Sequence, residues 1–149
     1  DNHPYEEVEY DLYPLPNSYQ NTGSGLTGEL ETETEAKELL SKLKNIFNIP
    51  VIKHTALNGK QVKKLAICGG AGSFLTGAAI AAGVDMYITA DMKYHEFFDA
   101  DNQLVLADIG HYESEQFTID LLFDILRQKF PNFAVLKTGI NTNPVSNFL

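Results

Sequence analysis

A histidine and a glutamate four residues apart, His111 and Glu115, are the strongest chemical signal in the sequence. They follow an apolar run, residues 104–109, that predicts a buried strand, and they begin a pattern that predicts a helix over 112–129. Side chains four apart lie on one face of a helix, so the imidazole and the carboxylate would point together from the end of that strand. The pair could ligate a metal, or the glutamate could simply favour the helix dipole.

Two further candidates, Asp91 and His95, follow the preceding predicted strand at residues 86–89. Ligands of open α/β sheets bind outside the carboxyl ends of the strands, so parallel strands would place these side chains on the same rim as His111. Asp91 could orient an imidazole or cap the next helix. His95 could serve the site or be a solvated helix residue. Histidine mixed with carboxylates suits a divalent transition metal.

The elements that would position these residues alternate between strand and helix from residue 63 onward. Such alternation is typical of an α/β fold, with a mostly parallel or mixed sheet and helices on both faces. The predicted strands are residues 65–68, 86–89, 104–109 and 133–137. The glycine-rich turn over 69–72 lacks both nucleotide-binding fingerprints, and we interpret it as a close strand–helix contact.

The first part of the chain, residues 1–57, is rich in proline and acidic residues and predicts a partial α+β module. Residues 58–149 form the second predicted domain, which opens at the turn signal Asn58-Gly59. The first module would contain a strand over 8–13, a loop over 14–28 with a short strand near its end, a helix capped by Thr34 and a strand over 51–57.

Composition narrows the classes of function. The formal charge of −9 argues against nucleic acid and anionic membranes as partners, because both attract basic surfaces. No apolar run approaches the ~18 residues of a membrane span. The single cysteine excludes an internal disulfide and suits a cytoplasmic protein. The chain begins without methionine, and we expect it to be a piece of a longer protein.

Four motifs stand out together in the sequence: Cys68-Gly69-Gly70 through Gly83, Tyr87 through His95, Asp108 through Glu115, and Asn141-Thr142-Asn143-Pro144-Val145. With these motifs the chain resembles the family of NGG-interacting factor three, also called GTP cyclohydrolase I type 2-like proteins. The opening segment from His3 to Val8, with the module behind it, looks like the end of the inserted domain of longer family members, which is similar to PII-like signalling folds.

The resemblance implies a site with two divalent metals, Zn, Fe or Mn, and ring-like homo-oligomers. His111 and Glu115 match the C-terminal metal ligands of the family, and Asp91 and His95 would line the same pocket as catalytic residues. The remaining family ligands, a histidine pair and an aspartate, have no counterpart in this sequence, and we expect them upstream. Two side chains cannot hold two metals alone.

The expected function is therefore that of a C-terminal portion of a metal-dependent hydrolase, in which metal-activated water attacks an unknown small-molecule substrate. The alternative is a non-catalytic regulatory or scaffold protein with a structural metal. A catalytic metal keeps an open coordination position, whereas a structural one is closed by protein ligands. Nothing in the sequence selects a purine or any other substrate.

Overall fold

The centre of the fold is a five-stranded mixed sheet, seen in a computed structural model that describes residues 22–148. The strands run in the order β1-β3-β4-β5-β2, where the central three are parallel and the two outer strands are antiparallel to them. The predicted α/β class is confirmed. The strands are β1 (Leu26–Glu35), β2 (Lys53–His54), β3 (Gln61–Ala71), β4 (Met86–Ala90) and β5 (Val105–Asp108).

Helices cover both faces of this sheet, as the sequence predicts. Met86 and Ile88 of β4 pack into one apolar cluster with the first helix, whereas Tyr87 packs into a second cluster with the second helix on the opposite face. All of β4 is therefore buried, as in a central parallel strand. The helices are α1 (Ala36–Phe47), α2 (Thr76–Ala81), α3 (His111–Glu115) and α4 (Thr118–Lys129), with 3₁₀ turns at Ser73–Leu75 and Tyr94–Ala100.

The predicted single helix over 112–129 is wrong, because the segment divides into α3 and α4. The amide of Gln116 donates hydrogen bonds to the carbonyls of Phe47 and Glu113, each at 3.0 Å. The ring of Phe117 lies 5.9 Å from that of Phe47. These contacts tie the junction to the end of α1, and apolar periodicity, which continues through the junction, could not reveal them.

The predicted strand over 133–137 is also wrong, since residues 130–148 contain turns but no strand. Phe133 is 73% exposed and Leu136 is 92% exposed, so this apolar run pairs with no edge of the described sheet. A short apolar run indicates that a strand is possible but does not supply a partner for it.

Two predictions in the first module also need correction. Thr34 lies in β1 and does not cap α1, because its hydroxyl donates to the carbonyl of Thr32 at 3.1 Å. The strand predicted over 51–57 shortens to β2. The hydroxyl of Thr55 accepts the hydrogen bond of the Leu106 amide at 3.0 Å, which replaces a backbone partner and ends the ladder. The strand predicted over 8–13 lies outside the described residues.

The sheet and its core run across the predicted domain boundary between residues 57 and 58, since β1, α1 and β2 pack on the same central strands. The division into domains stays a prediction. Within the described chain β1 is an outer strand, and it carries exposed glutamates at every second position: Glu29, Glu31, Glu33 and Glu35. None of the helices within residues 22–148 is long and apolar enough to cross a membrane.

Candidate metal centre

The carboxyl ends of β4 and β5 bring two of the predicted side chains together. Asp91 follows β4 directly, and His111 begins α3 three residues after the end of β5. Because the strands are parallel, both loops lie on one rim of the sheet. His111 Nδ1 lies 2.6 Å from Asp91 Oδ2, and since a carboxylate only accepts, Nδ1 is the donor. Both side chains are about half exposed, at 50% and 52%.

The second nitrogen of the same ring faces Glu115. His111 Nε2 lies 3.3 Å from Glu115 Oε2, one helical turn further along α3. Two protein atoms bound to one metal at about 2.0–2.2 Å would have a comparable separation. The donor set therefore fits a divalent cation between Nε2 and the glutamate. Asp91 on the other nitrogen fixes the ring as carboxylates commonly do for metal-bound histidines.

The charges around the imidazole favour its protonated form. The hydrogen bond to Asp91 raises the pKa of His111, and the negative charges of Asp91 and Glu115 act in the same direction. A cation at Nε2 must therefore compete with a proton.

Gly70 and Ser114 also belong to this centre, although sequence reasoning did not single them out. A Cβ atom on Gly70 would lie 2.5 Å from Glu115 Oε1 and 3.4 Å from His111 Cε1. Gly70 also has a φ of +66°. Its amide donates to the Ser114 hydroxyl, which in turn donates to the carbonyl of His111, both at 2.8 Å. The close contact predicted for the glycine turn thus falls against the two candidate ligands themselves.

His95 lies apart from the group formed by Asp91, His111 and Glu115. It is exposed, and its ring packs edge-to-face on Tyr94 with centroids 5.1 Å apart. In the part of the chain that the structure describes, it makes no hydrogen bond or ion pair to those three residues. The catalytic role of His95 stays a prediction that its contacts do not support.

A cavity of about 600 Å³ opens beside Asp91 and His111. Its apolar wall comes from the segment between α1 and β2 and from the C-terminal segment, and its polar groups lie at the strand ends. Glu113 accepts a hydrogen bond from the Asn143 amide at 3.1 Å and so joins the C-terminal segment to α3. The lining includes Ile49, Pro50, Val51, Lys53, Asp91, Ile109, His111, Tyr112, Glu113, Asn143 and Val145.

The number of donors sets a limit on what this rim can hold. Within residues 22–148, no three His, Cys, Asp or Glu side chains are grouped so that they could hold a metal. Zinc sites in proteins use three or four protein ligands. His111 and Glu115 therefore fit as one part of a centre, and a complete centre needs donors from elsewhere.

Comparison with known proteins identifies the family. The family model described as Duf34/NIF3 (NGG1p interacting factor 3) matches residues 3–144. The chain belongs to this family. A protein of Staphylococcus epidermidis named GTP cyclohydrolase 1 type 2 homolog is 35% identical over 149 residues, which cover 97% of this chain and 40% of that protein. A Halalkalibacterium halodurans protein of the same name is 32% identical over 146 residues, covering 95% and 39%.

A solved structure of a related protein shares the fold described above. A crystal structure of a Bacillus cereus protein related to NIF3 superposes with a TM-score of 0.74 at 30% identity, covering 98% of this chain and 41% of that one. The chain thus spans about 40% of the length of the relatives it matches.

Proposed function

We propose that this chain supplies part of a divalent-metal centre, with His111 Nε2 and the Glu115 carboxylate as ligands for Zn, Fe or Mn. The observation that carries the proposal is the position of one imidazole between two carboxylates, 2.6 Å from Asp91 and 3.3 Å from Glu115. Asp91 holds the Nδ1 proton and thereby directs the lone pair of Nε2 toward the cation. Family membership supports the same assignment.

We further propose that the complete protein holds two metals and hydrolyses a small molecule. The remaining ligands would come from the part of the longer protein that this chain does not contain, since the chain spans only about 40% of its relatives. When bound, a divalent cation activates water and polarises a substrate oxygen. The relatives' names as GTP cyclohydrolase homologues support a hydrolytic reaction.

The walls of the cavity carry more acidic than basic side chains. Asp91, Asp108 and Glu113 contribute carboxylates to the lining, against one lysine, Lys53. That ammonium is already bound to Asp108 at 2.7 Å. A triphosphate would therefore need the proposed divalent cations to balance its charge.

The alternative function is that of a regulatory or scaffold protein with a structural metal. The separation of His95 from His111 and Glu115 favours it, because the sequence predicted a catalytic role for His95 in the same pocket. A homo-oligomer and a cytoplasmic location also stay predictions.

Metal titration of the chain tests the ligand assignment. Equilibrium dialysis against Zn²⁺ and Mn²⁺ should show weak binding, as expected for two ligands of an incomplete centre, and that binding should be lost in His111→Ala and in Glu115→Ala. Asp91→Asn should weaken it about 10- to 100-fold, because the ring loses its orienting partner. His54→Ala is the matched control, an exposed histidine of β2 whose Nδ1 lies 2.8 Å from the Thr55 carbonyl oxygen. Binding that survives His111→Ala, or that His54→Ala also abolishes, would contradict the assignment.

Water relaxation of the complete Mn²⁺-loaded protein separates the two functions. The complete protein is needed because two ligands alone would leave water on the metal in either case. A catalytic centre keeps an exchangeable water on the metal, so the protein should enhance the proton relaxation of the solvent. A structural centre is closed by protein ligands and should give no enhancement. The absence of enhancement at saturating Mn²⁺ would favour the scaffold function.

A further inference from the structure

The buried carboxylate of Asp108 contacts both loops that carry the candidate metal site, the loop after β4 and the loop after β5. Asp108 is the last residue of β5 and is only 2% exposed. Its Oδ1 accepts a hydrogen bond from the Gly110 amide at 3.0 Å, and its Oδ2 accepts one from the Met92 amide at 3.2 Å. Lys53, which reaches across from β2, places its ammonium 2.7 Å from Oδ2.

These two amides belong to the immediate neighbours of the paired side chains. Met92 follows Asp91, and Gly110 precedes His111. Asp91 has a φ of +55°, a conformation that costs a residue with a Cβ about 1–2 kcal/mol, and Gly110 has a φ of +91°. Such backbone persists only when surrounding contacts hold it. The carboxylate of Asp108 is a contact that restrains both loops at once.

We propose that Asp108 is a positioning residue that sets the geometry of the Asp91–His111 pair through the backbone on either side of it. Within the described residues its side chain makes no hydrogen bond to Asp91 or to the His111 ring, and it acts by holding Met92 and Gly110 in place. Its value for metal binding rests on the proposed function, but the restraint itself is a property of the metal-free chain.

Lys53 makes this burial tolerable. An unpaired buried carboxylate is strongly unfavourable, whereas one with a cation and two amide donors has its main demands satisfied. The lysine side chain is 62% exposed, so its ammonium stays hydrated while it neutralises Asp108. Lys53 also lines the cavity. Through its contact with Asp108, strand β2 therefore helps to hold the two loops of the candidate metal site.

The test compares Asp108→Asn with Asp85→Asn in the metal-free chain. Asp85 is the matched control, because its Oδ2 also accepts two backbone amides, from Lys63 at 2.9 Å and Lys64 at 2.8 Å, before the amino end of β4. The readout is the imidazole N–H proton of His111 in the NMR spectrum, assigned by its absence in His111→Ala. The sequence contains 4 histidines, so this region of the spectrum is simple.

We expect the His111 proton to be retained in Asp85→Asn and to exchange with water at least about tenfold faster in Asp108→Asn. The amide of Met92, the amide of Gly110 and the ammonium of Lys53 are all donors, and the side-chain NH₂ of asparagine would be a further donor facing them. One of the two loops would therefore lose its hydrogen bond. The dissociation constant for Zn²⁺ should rise about tenfold or more in the same variant. Thermal melting monitored by circular dichroism establishes that both variants are folded.

If Asp108→Asn does not fold, Lys53→Glu takes its place, because a second carboxylate would repel Asp108 without removing it, and Lys53→Met is its neutral control. An unchanged His111 proton in the folded variant would overturn the proposal. Failure of the metal hypothesis looks different: Zn²⁺ binding would survive Glu115→Ala, while the His111 proton would still respond to Asp108→Asn.

Discussion

The rim that carries His111 and the helix α4 differ in how their side chains are held. On the rim, each ring nitrogen of His111 has a carboxylate beside it, and Asp108 below is buried with three donors. Helix α4 begins three residues after Glu115, yet none of its residues is buried. Leu121 and Leu122 are 60% and 53% exposed.

This contrast separates two kinds of information in the sequence. Polar residues at strand ends find their partners within the described chain, through loops that parallel strands bring together. The apolar pattern of α4 produces a helix but does not identify what packs on it, because hydrophobic contact has no direction or fixed partner. Polar residues at strand ends therefore predict which side chains lie together. An apolar stripe on a helix predicts only which face of the helix is available for packing.

The largest expected effect concerns the apolar core and tests the contrast in burial between α1 and α4. Leu39→Ala removes a side chain that is 6% exposed in the core beneath α1, and the chain should lose about 2–5 kcal/mol of its free energy of unfolding. Leu122→Ala makes the same chemical change on α4 and should cost less than about 0.5 kcal/mol. Urea unfolding measures both, and equal losses would show that α4 packs as tightly as α1.

A smaller effect concerns the close packing of Gly70 against Glu115 on the rim. Gly70→Ala adds a Cβ 2.5 Å from Glu115 Oε1 at a φ of +66°, so it should destabilise the chain by about 1–3 kcal/mol and displace the carboxylate. Zn²⁺ binding should weaken with it. Gly77→Ala is the control, since its Cβ would meet nothing within 4 Å in α2, and it should stabilise the chain by up to about 1 kcal/mol. A neutral Gly70→Ala would mean that the rim is loosely packed.

The smallest effect concerns Tyr87 below the rim, whose hydroxyl donates to the Gly72 carbonyl at 2.7 Å. Tyr87→Phe should cost about 1 kcal/mol at neutral pH. Burial raises the pKa of Tyr87 from 10.0 to about 12, so between these values the unfolded chain releases the proton first. The stabilisation by Tyr87 is thus complete below pH 10 and is lost as the pH rises toward 12.

Unfolding measured across this pH range in both proteins checks the prediction. The difference in stability between wild type and Tyr87→Phe should shrink with rising pH. A difference that stays constant would show that the phenol is solvated.

The sequence predicted β4 and β5 because each is a mostly apolar run buried on both faces. It also predicted the shared rim, since alternation of strand and helix implies parallel strands. It could not predict where helix and strand end, because those limits depend on distant partners. Gln116 contacts Phe47, and Thr55 replaces a backbone partner of Leu106.

The candidate site was predicted only to the level of side chains that can reach one another. The spacing of His111 and Glu115 on one helical face, and the position of Asp91 at a neighbouring strand end, were sufficient to place them together. The roles of Gly70 and Asp108 arise from a missing Cβ and from backbone amides, which leave no pattern in the sequence. His95 shares the loop of Asp91, but sequence spacing cannot tell that its ring turns to Tyr94.

The outer strand β1 also bears on how copies of this chain behave at high concentration. An exposed strand edge offers unpaired amides and carbonyls to any second strand, and is a common starting point for aggregation. The glutamates from Glu29 to Glu35 repeat at every second position and are exposed, so two such edges brought together would oppose several like charges. At neutral pH this repulsion should discourage fibre-like stacking through β1, and acidification should remove that protection as the carboxylates become protonated.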